Sequence, residues 1–239
     1  MNDIDEKGCY VVDEKHIYPN ELSDFLGEPD VHVQIAYDWM VEQMSKRLYP
    51  PPEGVKYPIW AWVKQSERSW SSEHPGKPDM RSWITDKPEK VVRLQLEIPE
   101  EDILQTDFDL WHVHLNFAYF PKSEQDSDAW DKWLESHGLE YLDPSHLEDC
   151  RPEVEEAREM IYKSWKRLFN TDELENSYWG CQDAEKQCIQ ATFWVLKKEY
   201  IQSVEYFTTR NDATTRAKAN EQAQRNRECL AKKKQQELP

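Results

Sequence analysis

The residues best equipped for chemistry in this chain are its indoles, 11 tryptophans in 239 residues. An indole offers a wide flat face and one N–H donor. It can hold a base, a nicotinamide ring or a sugar, or it can fill a core. Trp60 and Trp62 lie in a stretch, residues 58–64, whose alternation predicts a strand. Ile59, Ala61 and Val63 then share one face and both indoles the other. That aromatic face is the best candidate for a pocket wall. Arg81, in Lys77-Pro78-Asp79-Met80-Arg81, could grip a phosphate or carboxylate bidentately, or pair with an internal acid.

Other constellations are weaker. His112 and His114 would share a face on a strand but diverge on a helix, and zinc needs three or four converging ligands, so no metal site is predicted. Glu97, Glu100, Glu101, Asp102, Asp107 and Asp109 crowd a short stretch where paired carboxylates could do acid–base work. A charge run of this kind is more often a solvated face. Cys181 and Cys188 read as packing residues. The chain has no GxSxG elbow, no GxGxxG and no GxxxxGK[ST].

The elements that must position these groups follow from pattern. Residues 1–30 are an acidic, loop-rich lead-in. A helix is predicted over 31–48, with Ile35, Trp39, Met40, Met44 and Leu48 at helical spacing and prolines 50–52 as its stop. A second strand spans 91–98, with Val92, Leu94, Leu96 and Ile98 facing in. Residues 100–105 fit one helical turn. For 107–120 a helix capped by Asp107 or Asp109 is favoured over a strand. A short helix covers 127–136, and Pro152 opens a strong one to 169 with Val154, Ala157, Ile161, Trp165, Leu168 and Phe169 as its stripe. A third strand covers 188–196, and 198–207 form a helical turn or a last strand. The fold class is therefore α+β: a small, mostly antiparallel mixed sheet from 58–64, 91–98 and 188–196, covered by the helices at 31–48 and 152–169.

Lys and Arg number 30 against 47 Asp and Glu, a formal charge of −17, which disfavours binding duplex nucleic acid. Residues 1–207 read as one Trp-rich domain and 208–239 as a helical or disordered basic tail, with 8 Lys/Arg against 4 Asp/Glu. No run of about 18 apolar residues suggests a membrane span. No basic start with an apolar h-region suggests a secretory signal. Five cysteines without a CxxC pair point to a reducing, cytoplasmic setting.

Several short motifs recur in order: Ala36-Tyr37-Asp38-Trp39-Met40 with Gln43-Met44, Tyr57-Pro58-Ile59-Trp60-Ala61-Trp62 and Lys77-Pro78-Asp79-Met80-Arg81. Then come Leu96-Glu97-Ile98-Pro99 with Asp107-Phe108-Asp109-Leu110-Trp111-His112, Ser164-Trp165-Lys166-Arg167-Leu168-Phe169, and Ile189-Gln190-Ala191-Thr192-Phe193-Trp194-Val195-Leu196-Lys197. Together they resemble a bacterial domain-of-unknown-function family over roughly residues 8–207. That family usually opens with a further strand and helix. The chain here begins near Gly8 of the pattern, so the resemblance implies a missing opening unit. More distantly, the layout resembles ADP-ribosyltransferase-type domains. The analogy implies that Tyr37, Trp60 or Trp62 stacks on the nicotinamide of NAD and that Arg81 meets pyrophosphate. Gln190 then takes the late-strand catalytic position, which usually holds a carboxylate. The expected function is small-ligand or nucleotide binding, with glycosyl (ADP-ribosyl) transfer as the reaction if the chain is an enzyme. The alternative is a non-enzymatic acidic protein that docks a basic partner, or a truncated inactive relative.

Overall fold

The computed structural model describes residues 2–12, 31–64, 88–140, 142, 149–171 and 187–209. Arg81, Trp83, Trp179, Cys181 and the tail beyond Thr209 lie outside them. The chain divides into two compact units. One joins Met1–Lys77 to Ile98–Tyr200, and the other joins Pro78–Glu97 to Ile201–Pro239.

The first unit opens with helix α1 (Asn2–Lys7), a turn at Gly8 with φ +74, and strand β1 (Cys9–Tyr10). Helix α2 (Val31–Arg47) then precedes strand β2 (Ile59–Lys64). After a 3-10 turn at Glu100–Asp102, strand β4 (Leu104–Asp107) runs straight into helix α3 (Phe108–Leu115). Helices α4 (Glu124–Ser136) and α5 (Pro152–Trp165) follow, the latter continued by a 3-10 turn to Phe169. Strands β5 (Ile189–Phe193) and β6 (Leu196–Lys197) and a 3-10 turn (Lys198–Tyr200) complete the unit. The sheet is β2–β5–β4, with both pairs antiparallel, and β1 pairs with β6 separately. The second unit holds strand β3 (Lys90–Leu96) paired antiparallel with β7 (Ile201–Thr208).

The α+β class and the main helices are as predicted. The membership of the sheet is not. Residues 91–98 were expected beside 58–64 and 188–196, but β3 pairs with β7, and β4 occupies the place beside β5. Alternation marks a strand and its faces but does not choose its neighbour. In the β3–β7 ribbon, Val92, expected to face inward, is 36% exposed and sits opposite Tyr206, itself 70% exposed. Arg93 faces Glu205 across the ribbon and forms an ion pair with it. Residues 198–207 supply both predicted alternatives in turn, a 3-10 turn and then a strand.

The core of the first unit lies between helices. Ala36, Trp39, Met40 and Met44 of α2 meet Val154, Ala157, Ile161 and Trp165 of α5, all buried. Each large apolar side chain hidden this way stabilises the unit by about 1.5–3 kcal/mol. Trp39 meets Trp165 edge to face at 5.5 Å and stacks on Phe169 at 5.6 Å. Pro152 sits in the first turn of α5, where its missing N–H costs nothing, and Glu153 and Glu155 favour the positive end of the helix dipole. Asp107 caps α3: its Oδ1 accepts from the N–H groups of Asp109 at 2.9 Å and Leu110 at 3.0 Å. That cap decides the helix over the strand for this stretch. Just beyond α3, Phe117 holds a left-handed φ of 55°, a strained value kept in place by burial against Tyr162 and Trp165.

Candidate functional site

The register of the sheet places the candidates. Trp62 pairs with Gln190, which pairs with Thr106, and two residues away Trp60 pairs with Thr192, which pairs with Leu104. Because side chains alternate with period two, these six residues share one face. Helix α3 lies over it. Trp60 packs on Trp111 with centroids 4.4 Å apart, and Trp62 packs on Phe108 at 4.7 Å. Tyr37, from α2, meets Trp60 at 6.1 Å and Trp111 at 5.5 Å, both edge to face. The structure thus brings Tyr37, Trp60, Trp62 and Gln190 to one aromatic layer. Trp60 and Trp62 are half-buried, neither sealed in the interior nor fully open. Arg81 lies outside the described residues.

The electrostatics of this layer are unusual. Trp60 Nε1, Thr106 Oγ1, Gln190 Oε1 and both ring nitrogens of His114 are buried with no hydrogen-bond partner among the described residues. Leaving such an atom unmatched costs about 1–3 kcal/mol. Nearby groups show how they are normally matched. Thr192 Oγ1 donates to the Leu104 carbonyl at 3.2 Å. Trp165 Nε1 donates to Ala118 O at 2.7 Å, and Trp194 Nε1 to Tyr49 O at 3.0 Å.

His114 is fully buried on the inner side of α3, within rings of Trp165 at 4.1 Å, Trp39 at 4.8 Å and Trp111 at 4.8 Å. Burial disfavours the imidazolium and pushes its pKa down to about 3, so the ring is neutral at physiological pH. Burial likewise raises the Tyr37 phenol. Asp109, at the start of α3, is raised by burial first and by the neighbouring Asp107 charge second.

The remaining constellations are put to structural use. His112 is exposed, its Nδ1 2.9 Å from the Phe108 carbonyl, while His114 points into the core, so the pair does not converge. Among the described residues no group of three or more His, Cys, Asp or Glu could hold a metal ion. The acidic run disperses. Asp107 caps α3, and Asp102 accepts from the hydroxyls of Tyr200 and of Tyr49, the latter at 3.0 Å. Lys197 Nζ lies 3.7 Å from the same carboxylate. The Tyr200 hydrogen bond above all holds Asp102 below the usual carboxylate range. A separate open groove of about 880 Å³ runs between α2 and α5, walled by Asp38, Glu42, Lys46, Glu156, Glu159 and Lys163. None of Tyr37, Trp60, Trp62 or Gln190 lines it.

Sequence reasoning missed Thr106 and Phe108 as site residues and read His114 as an ordinary hydrogen-bonded histidine, whereas both its ring nitrogens are buried without a partner among the described residues. Thr106 falls in a four-residue strand, too short for alternation to be seen. The helical spacing of Phe108, Trp111 and Leu115 was the available signal for which face of α3 turns inward.

No helix among the described residues is long and apolar enough to cross a membrane. Comparison with curated proteins and with solved structures finds no match. A family model does match, over residues 1–202, and so the chain belongs to the family described as Domain of unknown function (DUF3841).

Proposed function

We propose that this domain binds a small planar ligand, of nucleobase or nicotinamide character, on the sheet face beneath α3. The observation that supports this is the gathering of three unmatched polar atoms, Trp60 Nε1, Thr106 Oγ1 and Gln190 Oε1, on one face ringed by Tyr37, Trp111 and Phe108. Aromatic rings supply stacking area, and the unmatched atoms supply polar contacts that the chain itself does not fill. These atoms are sealed from water in the free chain, so binding requires the half-buried Trp60 and Trp62 rings to part from α3. The ligand selects that opened arrangement. The nucleotide direction comes from the resemblance to ADP-ribosyltransferase-type layouts read from the sequence alone. Gln190 is uncharged and would not stabilise an oxocarbenium-like state as a carboxylate does. The proposal is therefore of ligand binding and not of glycosyl transfer. Titration of intrinsic tryptophan fluorescence with NAD, ATP and free bases tests it. Saturable quenching that is lost in Trp60→Phe supports the proposal, and a flat response to millimolar ligand rejects it.

A second reading is favoured by α4. Its exposed acids Glu124, Asp128, Asp131 and Glu135 flank a half-exposed series of stacked rings, which suits a cationic side chain through charge and cation–π attraction. Salt-sensitive binding of a lysine-rich peptide, weakened by Trp133→Ala, would support it. Binding unaffected by that change would remove α4 as the dock.

A further inference from the structure

Resting on the ligand-binding reading above, we infer that the sheet face selects an uncharged planar edge with an N–H donor beside a carbonyl acceptor: a primary carboxamide, a lactam or an imide. The donor and acceptor inventory drives this. Gln190 Oε1 is an acceptor only, so it requires a donor from the ligand. Trp60 Nε1–H is a donor only, so it requires an acceptor. Thr106 Oγ1 can do either, and it completes whichever contact the ligand leaves open.

The register puts the three residues on adjacent strands of one face. Thr106 and Gln190 are directly opposed on neighbouring strands, which places their Cβ atoms about 4.5–5.5 Å apart. Trp60 is diagonal to Gln190 across the other strand pair, at about 7–8 Å. A carboxylate edge offers acceptors alone and would set its charge against Gln190 Oε1. A ketone would leave Gln190 Oε1 unmatched. Neutrality follows from the face itself, since Leu104, Thr106, Gln190, Thr192, Trp60 and Trp62 include no charged side chain. Flatness follows from the rings of Tyr37, Trp60 and Trp111 that close over it.

A matched ligand series tests the inference on the full chain: benzamide and thymine, which carry the donor–acceptor edge, against acetophenone and benzoate, which do not. Affinities are read by calorimetry, with circular dichroism confirming the fold of each variant. Benzamide and thymine should bind at least ~10-fold more tightly than acetophenone or benzoate, the usual cost of one unmatched buried polar atom. Gln190→Met and Thr106→Val should each narrow that gap. Thr106→Val nearly preserves shape and removes an unmatched hydroxyl, so its fold is expected to survive. If acetophenone binds as well as benzamide, the face holds rings without reading an amide edge, and this inference fails while the binding reading stands. A benzamide preference unchanged in both variants also overturns it. If none of the four ligands binds, the inference fails, and NAD or ATP quenching through Trp60 decides whether the binding reading fails with it.

Discussion

Two aromatic regions of the same unit are built in opposite ways. Along α4, Tyr119, Trp130, Trp133 and His137 form a ladder of nearly parallel rings, with interplanar angles of 13°, 3° and 24°. Two of its polar groups are matched locally, although Nη1 of Arg167, whose side chain lies beside Tyr119, is buried without a partner among the described residues. Tyr119 OH donates to Asp126 at 3.3 Å, and His137 Nδ1 lies 2.7 Å from the Trp133 carbonyl. Around α3 the rings cross at steep angles, 75° for Trp39 and Trp111 against His114, and the polar atoms of Trp60, His114, Thr106 and Gln190 are unmatched. Tryptophan content alone therefore does not mark a site. What sets the α3 region apart is its cluster of unmatched polar atoms, whose burial costs stability.

The sharpest way to break the comparison is to delete a ring from each region. Trp165→Ala, in the crossed cluster and fully buried, should cost about 3–5 kcal/mol in urea unfolding. Trp130→Ala, on the half-exposed ladder, should cost distinctly less. Equal costs would mean the two regions do not differ in burial as described.

Acid should separate them next. The His114 imidazole takes a proton near pH 6.5 when unfolded but only near 3 when folded. The unfolded chain thus binds more protons across that window, and stability falls as pH drops from about 6.5 toward 3. By pH 4 the loss reaches ~3 kcal/mol. Well above pH 6.5 there is no loss from this group. His114→Leu should flatten this part of the pH profile relative to the parent chain. Parallel profiles for the parent and His114→Leu would show that the ring is not held neutral by the cluster.

Smaller effects sharpen the picture. Asp107→Ala removes the cap that starts α3 and should cost about 1–2 kcal/mol, seen as a lower thermal midpoint. Thr106→Val should change stability by less than ~1 kcal/mol, and in the favourable direction, because it removes an unmatched hydroxyl. A loss of several kcal/mol would instead reveal a hydrogen bond to that oxygen.

How far the residues announced this arrangement depends on the range of each signal. The stripe of α5 and the stop at prolines 50–52 are local patterns, and both α2 and α5 form where the patterns place them. The face shared by Trp60 and Trp62 was legible for the same reason, since period two is a property of one strand. Partnership was not legible. Nothing within Lys90–Leu96 says that it pairs with Ile201–Thr208 instead of joining Ile189–Phe193, because pairing is decided by residues distant in the chain. Thr106 was hidden by the brevity of β4. His114 was visible as a histidine, but its enclosure comes from Trp39 and Trp165, donated by two other helices.

The claim at the centre is that Trp60 Nε1–H awaits a ligand acceptor. The most direct measurement is a ¹H–¹⁵N spectrum of the indole N–H groups during benzamide titration, with Trp60 assigned from Trp60→Phe. A downfield shift of the Trp60 indole proton, with the Trp130 and Trp133 signals unmoved, is the predicted result. A stationary Trp60 signal while the ladder indoles shift would contradict the account.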